Sequence, residues 1–206
     1  MTAVVDGVEI STDHWIGGER VGSTASFEDV SPIDERILAE VSCGGADEAA
    51  RAVEAARAGA EVWGRTPSAE RAAVLHRVAD LVADHVERLS IVETTDNGSL
   101  LRSHRRSVMP RVARNFRFFA GQLLELGESF EMDGFESRTK WDPSGVTAVI
   151  TPWNAPLMLA TWRVAPALAA GNGVVLKPPE WAPLTASVLA DLTREAGLPD
   201  GAFNVL

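Results

Sequence analysis

The 206-residue sequence is poor in cysteine and in positive charge. Its one cysteine leaves no partner for an internal disulfide, and a cytoplasmic location is therefore expected. Nineteen lysine and arginine residues face 29 aspartate and glutamate residues, which gives a formal net charge of −10. Because nucleic acid and anionic membranes attract positively charged surfaces, this charge argues against both as partners.

Long apolar runs are also missing from the sequence. No stretch approaches the length of a membrane span, and the opening residues MTAVVDGVEI lack the basic and apolar regions of a signal peptide. The four histidines show no metal-ligand spacing, so no metal site is expected. Length and composition are those of one globular domain with a sizeable core.

The most informative stretch covers residues 146–180. It reads as a β-branched strand (146–150), a loop framed by Pro152 and Pro156, an amphipathic helix, a Gly-Asn-Gly turn and a second buried strand (174–176). A strand, a crossover helix and another strand predict parallel pairing with a right-handed connection. Open parallel sheets bind ligands beyond the carboxyl ends of their strands, so the sequence predicts a nucleotide site there.

The usual dinucleotide fingerprint, G-x-G-x-x-G directly after the first strand, does not occur at this place. The segment Thr151-Pro152-Trp153-Asn154 stands there instead, and a proline-framed loop cannot wrap a pyrophosphate as glycines do. From the residue pattern alone, a nucleotide-binding domain and a generic α/β domain are equally supported.

The remaining elements follow from turn signals and periodicity. Gly17-Gly18 predicts a hairpin, Thr66-Pro67 predicts a helix N-terminus, and Pro110 predicts a new start or a kink within a helix. The predicted elements are a strand pair at 27–30 and 36–41, helices at 46–63, from 66 to a stop at 96–98, at 100–126 and at 184–196, a hairpin-like arm within 129–142, and a strand at 203–206.

Several motifs together resemble the NAD(P)-dependent aldehyde dehydrogenases. They are ITPWNAP, APALAAGN, VVLKPPE and PLTASVLADLTREAGLPDGAFNVL, preceded in the family's order by DHWIGGER, TTDNGSL and NFRFFAG. The resemblance covers the whole chain and implies an α/β fold: a Rossmann-like parallel-sheet cofactor-binding domain, incomplete at the C-terminus, with a β-hairpin oligomerisation arm. It implies a division into 1–128 (first part of that domain), 129–144 (the arm) and 145–206 (a βαβαβ core), with the catalytic domain absent.

The resemblance also implies roles for the loops after the two strands. Asn154 matches the family's asparagine whose amide donates to the aldehyde oxygen, where negative charge develops when a cysteine attacks. A carboxylate at Glu180 would accept hydrogen bonds from ribose hydroxyls and repel a 2′-phosphate, whereas Lys177 would tolerate one. NAD is therefore the expected cofactor, with NADP not excluded. The expected cofactor-binding residues are Ile150, Thr151, Pro152, Trp153, Lys177, Pro178, Pro179 and Glu180.

Three residues resemble the family's substrate tunnel. Met158 and Trp162 lie four residues apart on one helix face, although an ordinary packing stripe has nearly the same pattern. Arg111 lies in PRVARNFRFFA, which resembles the branch that oxidises muconic-type semialdehydes, where the matching arginine holds a substrate carboxylate by a two-pronged contact. The alternative for Arg111 is a solvated helix face.

The sequence departs from the family's complete pattern in ways that limit the expected activity. Cys43 does not match the family's nucleophilic cysteine and reads as a structural cysteine. The family's nucleophile and its glutamate base lie in later segments, so this chain alone is expected to be inactive. Arg163 stands where many relatives carry lysine, which puts a proton-transfer role there in doubt.

Three hypotheses follow: the N-terminal portion of an aldehyde dehydrogenase acting on an aldehyde, such as a hydroxymuconic semialdehyde; a nucleotide-binding half-enzyme completed by another chain; or a non-catalytic structural homologue. A homodimer or homotetramer is expected at full length.

Overall fold

The computed structural model describes residues 1–123 and 129–206. Its strands are β1 (Thr2–Val5), β2 (Val8–Ser11), β3 (His14–Ile16), β4 (Glu19–Val21), β5 (Ser26–Val30), β6 (Ile37–Ser42), β7 (Ser129–Met132), β8 (Phe135–Arg138), β9 (Val146–Ile150), β10 (Gly173–Lys177) and β11 (Phe203–Val205). Its helices are α1 (Ala46–Trp63), α2 (Ser68–Asp84), α3 (Val86–Asn97), α4 (Leu101–Ser103), α5 (Met109–Leu123), α6 (Pro156–Ala169) and α7 (Leu184–Glu195). A π-helical segment, His104–Val108, joins α4 to α5.

A five-stranded sheet in the order β4-β3-β11-β10-β9 organises the molecule. Strands β9, β10 and β11 are parallel, and α6 and α7 are the crossovers between them, which confirms the predicted α/β fold. The β3–β4 hairpin extends the sheet in antiparallel orientation, with Trp15 opposite Val205. The sheet is therefore mixed rather than purely parallel.

Helices cover both faces of this sheet. Val174 and Leu176 of β10 face the main core with α2, α5, α6 and α7, whereas Val175 faces a smaller cluster with Ala52 and Ala56 of α1. Helix α1 lies very close to the sheet, since a Cβ added to Gly173 would sit 2.0 Å from the carbonyl oxygen of Ala56. Glycine at 173 is thus required by the spacing of helix and strand.

Two helix predictions are wrong in detail. The helix expected from residue 66 to the stop at 96–98 is interrupted at His85, whose φ of −102° and ψ of 18° separate α2 from α3. The hydroxyl of Thr66 donates to the carbonyl of Val62, in the last turn of α1, and does not cap α2. An apolar stripe continues across the break because both helices pack on one core, so periodicity alone could not reveal the break.

The predicted helix at 100–126 is three pieces. The new start predicted at Pro110 is confirmed within one residue, because α5 begins at Met109 directly after the π-helical segment. The end of this predicted helix falls on residues outside the described part. The β1–β2 hairpin was not predicted, although Asp6-Gly7 adopts the positive φ angles typical of tight hairpin turns.

A two-stranded hairpin, β7–β8, occupies the predicted arm, and every residue of both strands is exposed. Its role in oligomerisation stays a prediction, as do the domain boundaries. Across residues 1–123 and 129–206, no helix combines the length and the apolar character that a membrane crossing requires.

Candidate functional site

The carboxyl ends of β9 and β10 lie side by side. Ile150 is opposite Lys177 in the parallel register, and the backbone amide of Thr151 donates to the carbonyl oxygen of Lys177 at 3.3 Å. The two predicted loops, 151–155 and 177–180, therefore leave the same edge of the sheet. This arrangement is the one that an open parallel sheet uses to bind ligands.

A cavity of ≈ 620 Å³ lies beside the second loop, and we call it the β10 cavity. Its lining includes residues of β5 and of the loops after β6 and β10, among them Phe27, Glu28, Cys43, Gly44, Gly45, Lys177, Pro178, Pro179, Glu180 and Trp181. Its size and its mostly apolar walls with a few polar groups are typical of small-molecule sites.

Lys177 and Glu180 form an ion pair, with 3.1 Å between the ammonium nitrogen and a carboxylate oxygen. A hydrogen bond from its own backbone amide and the neighbouring Lys177 lower the pKa of the Glu180 carboxyl. Glu180 is therefore charged at neutral pH and can only accept hydrogen bonds, as a ribose hydroxyl requires.

The structural role predicted for Cys43 does not fit its position. Strand β6 ends at Ser42, so Cys43 lies in the loop that follows and its side chain is exposed at the β10 cavity. A packed structural thiol would be buried.

A second cavity of ≈ 500 Å³, the tryptophan cavity, adjoins the first. Trp153 and Trp181 lie on it with ring centroids 6.2 Å apart, and Glu180 lines it as well. Trp153 is 53% exposed, which excludes the simple core-packing interpretation of this residue. The structure thus brings Trp153 and Glu180 to one cavity.

Other predicted residues of the first loop lie outside these cavities. Ile150 is 79% exposed and Thr151 is buried. Asn154 and Pro152 are exposed, and neither lines the β10 cavity or the tryptophan cavity. Asn154 directly follows Trp153 in the chain but lines neither cavity.

A third cavity of ≈ 620 Å³, the arginine cavity, lies between α5 and α6. Its lining residues are Arg111, Arg114, Asn115, Phe118, Phe119, Trp162 and Arg163. The amide of Asn115 donates to the hydroxyl of Thr161 at 3.0 Å, which fixes the two helices against each other. Arg111 and Trp162 line the same cavity, whereas Met158 is half-buried and packs against the main core without lining it. Their roles in substrate binding stay a prediction.

Two arginines near the arginine cavity have acidic partners. Arg105 pairs with Glu87, and Arg117 pairs with Asp80. Within the described part of the chain, Arg111, Arg114 and Arg163 have no such ion pair. Cationic groups without an acidic partner, next to aromatic walls, suit an anionic ligand.

Several residues of the arginine cavity were not predicted. Arg114, Asn115 and Phe118 follow Arg111 at intervals of three, four and seven residues, so they share its helix face. That spacing could have identified them once Arg111 was chosen.

Two buried carboxylates behind the loops were missed as well. Glu93 and Asp96 of α3 are fully buried, and they lie at the helical spacing of the apolar Leu89 and Val92. Burial raises the pKa of Glu93 to about 7 and that of Asp96 well above its usual range. Acidic residues on a predicted core face were the available signal.

The sequence was compared with protein families and with curated proteins. The model of the aldehyde dehydrogenase family matches residues 19–206. The 5-carboxymethyl-2-hydroxymuconate semialdehyde dehydrogenase of Escherichia coli is 38% identical over 196 residues, covering 94% of this chain and 42% of that protein. The 2-hydroxymuconic semialdehyde dehydrogenase of Pseudomonas sp. (strain CF600) is 42% identical over 204 residues, with the same coverage of 94% and 42%.

Solved structures agree with this placement. The indole-3-acetaldehyde dehydrogenase of P. syringae, in complex with NAD+ and IAA, superposes with a TM-score of 0.94 at 37% identity. The match covers 98% of this chain and 42% of that one, so the chain spans less than half the length of the relatives it matches. The sequence and structure matches cover nearly the whole chain, and the chain belongs to the aldehyde dehydrogenase family.

Proposed function

We propose that this chain supplies the cofactor-binding part and the oxyanion donor of an enzyme that oxidises an aldehyde to the acid with NAD, with NADP as the alternative cofactor. The observation that carries the proposal is the meeting of the β9 and β10 ends, where Thr151 bonds to Lys177 and the β10 cavity begins. Family membership and an NAD+ complex of a structural relative support it.

Each loop has a distinct part in the proposed reaction. Bound NAD supplies the hydride acceptor. Glu180 accepts hydrogen bonds from ribose hydroxyls, and Lys177 donates to one of them. The Asn154 side-chain amide donates to the aldehyde oxygen as negative charge develops there, an interaction worth roughly 2.7–4 kcal/mol at such sites.

The proposed substrate is an aldehyde that carries a carboxylate, such as a hydroxymuconic semialdehyde. Arg111 binds that carboxylate by a two-pronged contact, Arg114 and Arg163 add positive charge, and Trp162 forms an aromatic wall. Two of the most similar curated relatives are named for semialdehydes of this kind.

We propose no residue of this chain as the nucleophile or as the base. Cys43 lies on the β10 cavity rather than on the arginine cavity, so it is not placed to attack an aldehyde held by Arg111. We therefore expect both groups to come from a segment or a chain beyond these 206 residues, and we expect the isolated chain to be inactive.

Intact mass of the protein from its native source, NAD titration and an aldehyde assay test the proposal together. A mass well above 22.0 kDa with aldehyde turnover supports a longer enzyme. A short mass with NAD binding, and turnover only after a partner chain is added, supports the half-enzyme. A short mass without nucleotide binding, or a long protein that binds NAD but oxidises no aldehyde, contradicts the proposal.

A further inference from the structure

One carboxylate oxygen joins the starts of both crossover helices. Oε2 of Glu93 accepts a hydrogen bond from the backbone amide of Leu157 at 3.3 Å and another from the hydroxyl of Thr185 at 2.9 Å. Leu157 is the second residue of α6, and Thr185 is the second residue of α7. Glu93 itself lies on α3, more than sixty residues earlier in sequence.

Both crossover helices lack a capping side chain of their own. The residues before them, Ala155 and Pro183, make no side-chain cap hydrogen bond. The first amides of a helix need acceptors, and a negative charge near them is favoured by the helix dipole. Glu93 provides an acceptor for α6, and Asp96 accepts from the amide of Leu184 at 3.0 Å in α7. Helix α3 thus supplies the caps that the local sequence does not.

The loop that carries Asn154 directly precedes the start of α6. The loop 151–155 is held at one end by the hydrogen bond from Thr151 to Lys177. At its other end the carbonyl of Ala155 accepts from the amide of Leu159 in the first turn of α6, and that turn is tied to α3 by the bond from the Leu157 amide to Glu93. We infer that Glu93 is a positioning residue: it holds the Asn154 loop in register with the start of α7, and hence with the Lys177–Glu180 loop. This inference rests on the proposed role of Asn154.

The groups around the Glu93 carboxyl determine its protonation near neutral pH. Nδ1 of His104 in the π-helical segment faces Oε1 at 3.8 Å, Asp96 lies on the same helix with Asp29 behind it, and α6 and α7 face Glu93 with an amide and a hydroxyl. Burial raises the pKa of Glu93 to about 7 and lowers the pKa of His104. The carboxyl therefore gains charge near neutral pH, and the charged form is the stronger acceptor for both helices.

The test uses kinetics of the full-length native protein at saturating NAD and aldehyde. Glu93→Ala should lower kcat by about 10- to 100-fold with little change in KM, because a small misplacement of a catalytic group is costly. Glu93→Gln keeps an acceptor oxygen, so it should recover most of kcat while losing the inflection near pH 7 in the kcat profile. Glu87→Gln, on the exposed side of the same helix, is the matched control and should leave kcat unchanged.

A double-mutant cycle distinguishes positioning from simple stabilisation. If Glu93 acts through Asn154, then adding Glu93→Ala to Asn154→Ala should lower kcat no further. Hydrogen exchange of the peptide covering 151–160 should also rise in Glu93→Ala and stay unchanged in Glu87→Gln. These readouts do not follow from a lower melting temperature alone.

Each outcome bears on one claim. If Glu93→Ala lowers only the melting temperature, or if its effect on kcat adds fully to that of Asn154→Ala, the inference is overturned while the proposed function stands. If Asn154→Ala leaves kcat unchanged, the proposed function fails, and the inference fails with it. Should Glu93→Ala not fold, the pH profile of Glu93→Gln and the kcat of Thr185→Val decide, and wild-type behaviour in both overturns the inference.

Discussion

The ammonium of Lys177 lies 3.1 Å from the carboxylate of Glu180 at the mouth of the β10 cavity. Both side chains are partly exposed, so the pair contributes little to folding stability. Under the proposed function the pair sets the cofactor preference, because Lys177 would attract a 2′-phosphate and Glu180 would repel it.

Replacing Glu180 by glutamine should shift cofactor preference towards NADP. The variant loses an acceptor for ribose hydroxyls and a charge that repels a 2′-phosphate, and we expect the NADP to NAD ratio of binding constants to rise about 10-fold. Titration of each cofactor measures it. Glu61→Gln, an exposed carboxylate on α1, controls for net charge, and equal ratios in both variants would contradict a ribose contact.

Replacing Asn154 by alanine should remove the oxyanion donor. We expect kcat in the full-length protein to fall by about 10²- to 10³-fold, because the amide acts chiefly on charge that develops in the transition state. NAD affinity should stay within about twofold, since Asn154 lines neither the β10 cavity nor the tryptophan cavity. Loss of NAD affinity together with kcat would point to a collapsed loop instead.

Replacing Arg111 by methionine should weaken binding of carboxylated aldehydes selectively. A charge-assisted hydrogen bond is worth about 1.5–3 kcal/mol, so KM for such a substrate should rise by about 10- to 100-fold, with little change for a neutral aldehyde. Arg117→Met is the matched control, because Arg117 lies on the same helix but pairs with Asp80. Equal effects on both substrates would rule out an anion-binding role for Arg111.

The buried carboxyl of Glu93 should make stability depend on pH. Burial raises its pKa from 4.5 to about 7, so in that interval the folded state holds a proton that the unfolded chain has lost. The free energy of unfolding should therefore fall by roughly 3 kcal/mol through this group as pH rises across the interval. Urea unfolding at pH 5 and pH 8 measures it. In Glu93→Gln the difference between the two pH values should shrink by about that amount; an unchanged difference would show that Glu93 is not the group responsible.

Alanine at position 173 should destabilise the fold strongly. Its Cβ would lie 2.0 Å from the Ala56 carbonyl, so α1 must move off the sheet, and we expect a loss of at least about 1–3 kcal/mol in urea unfolding. Gly121→Ala is the control, because the added Cβ meets nothing within 4 Å and helical alanine is favoured over glycine. A neutral Gly173→Ala would refute the close approach of α1 to β10.

Much of the architecture follows from the sequence. The strands at 146–150 and 174–176, the crossover helices and the Gly17-Gly18 hairpin were predicted within a few residues, because periodicity, glycine turns and proline placement are local signals. The helix break at His85 was not predicted, because no glycine or proline marks it and the apolar stripe continues across it. Pro110 marked the start of α5, but it did not reveal that the preceding residues form a π-helical segment.

Some features of the candidate site were likewise predictable from the sequence, and others were visible only in the tertiary structure. The sequence alone determined that polar loops follow two parallel strands, and the motifs of one family identified Asn154, Lys177, Glu180 and Arg111. Only the tertiary structure decided that Arg163 joins Arg111 at one cavity, that Met158 turns to the core, and that Glu93 caps helices more than sixty residues away. Local signals act over a few residues, whereas a cavity wall or a distant cap depends on which helix faces are brought together by burial of the whole core.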